Sequence, residues 1–218
     1  MILAKLGTHC LRSLGAASLL AAAGAVSLQT GDAAATEIGA AAPDFTAVDS
    51  YGTTHRLSDY RGKTVVLEWT NDGCPYVRKH YGTDNMQALQ RDATDAGIVW
   101  LSVISSPPGT QGYAEPDEAN RLTAERDAAP SAVLLDPKGE VGRAYDARVT
   151  PHMYIIDPAG RLVYKGGIDD KPTTRPADVE TANNYVRAAL ADLAAGRPVA
   201  EAVTRPYGCT VKYVSPSS

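Results

Sequence analysis

"EWTNDGCPYVRKHY", residues 68–81, joins a β-rich run to a helical one at a single cysteine followed by proline. The run before it, "TVVLEWT" (64–70), is continuous and apolar except for Glu68, as expected of a strand buried on both faces. Helix-forming residues then run from Pro75 to about Ala96, where Gly97 is a stop. Proline suits the first helical turn, because its missing N–H would have no partner there anyway. Cys74 thus stands at a strand–helix junction, near unpaired backbone N–H groups and the positive end of a helix dipole. Both favour the thiolate, which is the nucleophile. Arg78, four residues on, lies on the same helix face and is expected to lower the thiol pKa further. The competing reading is a buried, inert cysteine. Three residues beyond Cys74, where a C-x-x-C site has its second thiol, stands Val77.

Outward from this junction, "IVWLSVIS" (98–105) and "AVLLD" (132–136) read as further buried strands. Between them come a Pro/Gly-rich loop (106–116) and a helix capped by Asp117 and running to about Arg126. "GEVGRAYDA" (139–147) reads as a short helix, and "HMYIID", "PAG" and "RLVYKG" (152–166) as a hairpin. Upstream, residues 44–63 carry two short strands about a turn at Tyr51-Gly52. An amphipathic helix over 177–195 closes the domain, before an irregular tail punctuated by Pro198 and Pro206, with a short strand near its end. Strands alternating with helices give an α/β class: a mixed central sheet flanked by helices, with an N-terminal β-hairpin extension. The order fits a thioredoxin-like fold.

The chain has 218 residues, 44% hydrophobic and 21% charged, with a formal net charge of −4. This argues against nucleic acid or an anionic membrane as partner, since either needs a basic patch. Residues 1–35 read as a signal peptide. Lys5 and Arg12 precede the short apolar run 14–28, and "DAAATE" (32–37) offers a cut after Ala35. An uncleaved anchor is the alternative; after cleavage no stable membrane span is expected, and the protein would be periplasmic or secreted. The domain proper is 36–196, and 197–218 is the tail. Cys10 leaves with the signal, so the mature chain keeps Cys74 and Cys209. An even pair in an oxidising compartment suggests a disulfide, structural or catalytic.

Two further features surround Cys74. Glu68 is a carboxylate inside an apolar strand, and burial without a partner is costly. It either accepts a proton from an attacking thiol, or is exposed or paired with a lysine. Thr150-Pro151, just before a hydrophobic strand, is a candidate cis bond placed opposite Cys74. In this fold that loop presents a backbone edge to substrate. Thr150, Pro151 and Pro75 are therefore the substrate-binding candidates.

The segments "VVLEWTNDGCPYVRKH", "VTPHMYIIDPAGRLVYKGGID" and "PYGCTVKY" resemble the thioredoxin-like redoxin family, in its peroxiredoxin-like branch of the AhpC/TSA group, over roughly residues 38–213. The resemblance implies a thiol oxidoreductase with Cys74 as nucleophile, Glu68 as the buried acid and Thr150-Pro151 as the cis-proline loop. The chain departs from the family at Val77. It departs again where P-x-x-x-[TS]-x-x-C of peroxidases is met by Leu67 and Asn71, with Thr70 one residue away.

Cys209 is the candidate resolving cysteine, if the tail folds back; a permanent staple or a bond between chains are the alternatives. The expected reactants are a peroxide or a protein or small-molecule thiol–disulfide substrate, with an external thiol reductant and no cofactor. Two other functions stay open. One is a copper-binding metallochaperone drawing on Cys74, His80, His152, Met153 and Cys209; the other is a non-catalytic binding module. Protein isolated from its native host should begin near Thr36 and lie outside the cytoplasmic membrane. An intact N-terminus on cytosolic protein, read by terminal sequencing, would overturn the export reading.

Overall fold

A computed structural model describes residues 36–213; the expected signal peptide, 1–35, lies outside them. Nine strands and five α-helices follow in chain order: β1 (Thr46–Asp49), β2 (Thr54–Arg56), β3 (Val65–Trp69), α1 (Pro75–Tyr81), α2 (Asn85–Asp95), β4 (Val99–Ile104), α3 (Pro116–Glu125), β5 (Ala132–Leu135), α4 (Glu140–Ala144), β6 (Val149–Thr150), β7 (His152–Ile156), β8 (Leu162–Gly166), α5 (Tyr185–Ala194) and β9 (Cys209–Thr210). Seven strands form one sheet in the order β2-β1-β5-β4-β3-β7-β8. β3, β4 and β5 run parallel, and the flanking strands are antiparallel. This is the mixed sheet of a thioredoxin-like fold, with the β1–β2 hairpin as its N-terminal extension.

β3 is an interior strand, flanked by β4 and β7, and is buried at all five positions. Successive side chains point to opposite faces. Val65, Leu67 and Trp69 join Leu101, Val103, Tyr145 and Tyr154 on one side. Val66 joins Trp100, Ile155, Met86 and Val186 on the other, under α1, α2 and α5. Glu68 has the parity of Val66 and so points under α1 and α2, the face that carries Cys74.

The single helix expected over 75–96 is two. α1 stops at Gly82, and Asp84 adopts a left-handed conformation (φ 56°) before α2 begins. Thr83 Oγ1 donates back to the Lys79 carbonyl at 2.9 Å, satisfying a terminal acceptor that a continuing helix would have used. The helix expected over 177–195 starts later, at Tyr185. Residues Pro176–Thr181 form a 3-10 turn, and Asn184 caps α5 by accepting from Arg187 N at 2.9 Å. α3 begins at Pro116, with Asp117 inside its first turn rather than at the cap, because proline takes the first helical position. No helix among the described residues is long and apolar enough to cross a membrane.

The interior position of β3 sets a stability expectation. Leu67 is fully buried, so Leu67→Ala should cost about 2–5 kcal/mol in urea unfolding. A loss below about 1 kcal/mol would mean that this face is not close-packed.

Candidate active site

Cys74 is the N-cap of α1, with Pro75 as the first helical residue. The turn before it is held by Asn71, whose Oδ1 accepts from Gly73 N at 2.8 Å and whose carbonyl accepts from Cys74 N at 3.0 Å. The sulfur is fully buried and donates to the Thr150 carbonyl at 3.0 Å. The Thr150-Pro151 bond is cis, so the proline loop and the cysteine meet as the sequence suggested.

The tail reaches the same point. β9 pairs antiparallel with β6, with Cys209 opposite Thr150. The pairing requires an unusually close approach. A Cβ on Gly208 (φ 143°) would lie 1.9 Å from the Thr150 carbonyl oxygen, so only glycine fits. Cys209 packs against the cluster that contains Cys74, and both cysteines are free thiols. Burial raises the Cys74 thiol, but the Cys209 thiol, the Thr150 side chain and the backbone of Val77 and Cys209 outweigh it, and the net shift is downward. Cys209 moves the other way: burial, the hydrogen bond to Cys74 and the charge there push it up, against Lys212. The two thiols are thus shifted in opposite directions, Cys74 down and Cys209 up.

Glu68 lies fully buried and is partnered by neither solvent nor a lysine. Four donors converge on it: Tyr81 Oη (2.8 Å) on one oxygen, and Trp100 Nε1 (2.8 Å), Gln90 Nε2 (3.0 Å) and Ser102 Oγ (3.1 Å) on the other. The donors come from α1, α2 and β4, so the carboxylate ties both helices to the sheet. None of the four was singled out from sequence. Their only local signal is polar or aromatic residues where the buried face would otherwise be aliphatic.

Arg78 does not join the cysteines. Its side chain is 65% exposed, its Nε donates to the Asp72 carbonyl at 2.8 Å, and its guanidinium pairs with Asp72 at 3.7 Å. The groups that lower Cys74 do not include it. Thr70 is also separate. Its buried hydroxyl has no hydrogen-bond partner and lines a cavity of about 230 Å³ with Asp72, Tyr81 and Arg126, to which Cys74 does not contribute. The 106–116 loop does border the site: Gln111 Nε2 donates to the Gly73 carbonyl at 2.9 Å, and its own carbonyl accepts from Asn71 at 3.3 Å. The copper candidates diverge. His80 contacts Tyr207 and Asn85, whereas His152 contacts Tyr154 and the Arg148 backbone. Among the described residues no three His, Cys, Asp or Glu side chains converge as a metal site.

Three comparisons place this geometry among known proteins. A curated relative, the thiol-disulfide oxidoreductase ResA of Geobacillus kaustophilus, is 30% identical over 135 residues, 59% of this chain and 68% of that one. The crystal structure of an uncharacterized conserved protein from Geobacillus kaustophilus superposes with a TM-score of 0.72 at 29% identity, covering 84% of this chain and 94% of that one. A hypothetical protein of Sinorhizobium meliloti 1021 gives the same TM-score at 21% identity, over 83% of this chain and 97% of that one, and so supports the fold. The AhpC/TSA family model matches residues 38–165, which include Cys74, Glu68 and the Thr150-Pro151 loop, and the chain therefore belongs to the AhpC/TSA family.

Proposed function

We propose that this protein is a two-cysteine thiol–disulfide oxidoreductase, with Cys74 as nucleophile and Cys209 as resolving cysteine. The observation that carries the reading is that both cysteines meet Thr150, Cys74 Sγ lying 3.0 Å from its carbonyl and Cys209 pairing with it on β9, with one thiol shifted down and the other up. The thiol-dependent oxidoreductase class draws further support from the ResA relative. Thiolate character is what makes a sulfur attack, and a raised thiol is what can supply the proton and then follow as second nucleophile.

In the exchange, the Cys74 thiolate attacks one sulfur of a substrate disulfide. A mixed disulfide forms, and the other substrate sulfur leaves as a thiolate that takes up a proton. Cys209, once deprotonated, attacks Cys74 and expels the second substrate thiolate. The substrate gains two electrons and becomes two thiols, and the enzyme holds a Cys74–Cys209 disulfide. An external thiol reductant returns it to the dithiol. Pro75, Thr150 and Pro151 surround the sulfur and are the proposed substrate contacts.

Family membership favours a second electrophile, a peroxide. Attack on its distal oxygen gives a Cys74 sulfenic acid and an alcohol or water. Condensation with Cys209 then gives the same disulfide and releases water. The Thr150 hydroxyl, which donates to the Cys209 carbonyl at 3.4 Å, is a candidate to orient that oxygen. Export, from the composition of residues 1–35, would place either reaction in an oxidising compartment.

Cys209→Ala separates the two sulfur roles. It removes the largest contribution that lowers Cys74. The pH midpoint for alkylation of Cys74 should lie below the ordinary thiol value of about 8.5 in the parent and move up in the variant. Oxidation should still begin at Cys74 but stop at a mixed disulfide or sulfenic acid, read by mass spectrometry. Undiminished turnover by the variant would show that Cys209 does not resolve.

Glu68 is proposed as the anchor under the site rather than a proton relay, because its oxygens are already occupied by four donors. Glu68→Gln turns an NH₂ toward those donors. It should cost about 1–3 kcal/mol in denaturant unfolding, the price of an unmatched buried group, and leave the alkylation midpoint in place. A moved midpoint with parental stability would establish a relay instead.

A further inference from the structure

Tyr207, two residues before Cys209, is tied into the domain through its phenolic oxygen. Its phenolic oxygen accepts from Lys79 Nζ at 3.1 Å, lies 3.1 Å from His80 Nε2, and sends its own proton to Asp169 Oδ1. His80 Nδ1 is 2.8 Å from Asn85 Nδ2, which can only donate. Nδ1 is therefore the acceptor, and Nε2 carries the hydrogen that points at Tyr207. Burial, reinforced by Lys79, drives His80 down to about 3, so the ring is neutral and has one hydrogen to give. The Tyr207 oxygen thus receives two donors and serves one acceptor, which is the full capacity of a phenol.

The socket is dry. Lys79 and Asp169 are buried, with Lys79 Nζ 3.6 Å from Asp169 Oδ2, and that oxygen has no hydrogen-bond partner of its own. The ring of Tyr207 packs edge-on against Tyr76 in the first turn of α1, with centroids 5.7 Å apart, and Lys79 Nζ lies 5.1 Å from its centre. One residue on, Gly208 allows the backbone contact with Thr150, and the next residue is Cys209. The socket therefore fixes where the sulfur sits, two residues beyond Tyr207.

We propose that Tyr207, seated in the Lys79–His80–Asp169 socket, is the positioning residue that holds the tail strand on the Thr150 edge, and that the seated strand closes this edge to any other extended chain. A protein disulfide then reaches Cys74 only while Tyr207 is out of its socket. The proposal rests on the reading of Cys74 as nucleophile. Its physical basis is that a strand edge pairs with one strand at a time. β6 is paired with β9, and Cys74 beneath them is fully buried. Beside the tail runs a groove of about 500 Å³ lined by Val149, Asp169, Tyr207 and Gly208, where a displacing chain would begin.

The test uses full-length reduced protein in three forms: parent, Tyr207→Phe and Gly208→Ala. The first variant keeps the ring and removes the joining oxygen, and the second sets a Cβ against the Thr150 carbonyl. Two rates are measured at Cys74 by mass spectrometry, one with iodoacetamide and one with a cysteine-containing peptide carried as its thiopyridyl disulfide. The peptide rate should rise about tenfold in Tyr207→Phe, the factor that loss of one hydrogen bond to a charged group corresponds to. It should rise in Gly208→Ala as well, and the iodoacetamide rate should rise less in both. A general loosening of the fold would raise the two rates together, so the ratio is the diagnostic. Peptide rates equal to the parent in both variants, with Cys74 reactive to iodoacetamide, would overturn the gate and leave the nucleophile standing. A Cys74 inert to both reagents in all three proteins would overturn the nucleophile reading itself.

Discussion

The pairing of Thr150 with Cys209 is the contact on which the active end of this molecule depends. It joins two segments 59 residues apart, the cis-proline loop and the tail, and lays both over the first turn of α1. Most of what lowers the Cys74 thiol comes from that junction. The Cys209 thiol, the Thr150 side chain and the Cys209 backbone all act on the one sulfur, and together with the Val77 amide they outweigh the burial that would otherwise raise its pKa. In the proposed mechanism the missing second cysteine of a C-x-x-C site is replaced by one brought in on the tail. Gly208 is what permits this, because any side chain there would collide with the Thr150 carbonyl.

Beneath the junction the sheet is tied to its helices by polar groups rather than by packing alone. A carboxylate in the middle of a buried strand is tolerable only if its acceptor sites are filled. Glu68 meets that condition with Tyr81, Gln90, Trp100 and Ser102. Gln90 extends the network, since its Oε1 accepts from Ala129 N at 2.9 Å, and Arg126 lies 4.8 Å over the Tyr81 ring. The second buried polar cluster, about Tyr207, does for the tail what Glu68 does for α1 and α2. Both are directional, so each fixes a position that apolar contacts would leave free to slide.

The local readings that held were those with a strong periodic or steric signal. The buried strands at 65–69, 99–104 and 132–135, the hairpin at 152–166 and the cysteine at a strand–helix junction were all legible, because continuous apolar runs and a Cys-Pro step have few alternative structures. The continuous helix over 75–96 was not, since the break at Gly82 to Asp84 depends on a back-donated Thr83 hydroxyl and a left-handed aspartate. Arg78 shows the limit of helical spacing as a guide to contact. Its position in α1 is as expected, but Asp72 lies closer and takes the guanidinium.

The sequence by itself determined the fold class, the nucleophile candidate, the Thr-Pro step and the presence of a second cysteine in the tail. These are local properties, carried by residue type, order and periodicity. Only the tertiary structure decided where Cys209 goes, which side chains fill the acceptor sites of Glu68, and that Lys79, His80, Asp169 and Tyr207 form one socket. Tyr207 is 128 residues from Lys79 and 38 from Asp169. No short-range pattern links such positions. Their meeting follows from the packing of the tail across α1, and it is stable because each buried donor then finds its acceptor.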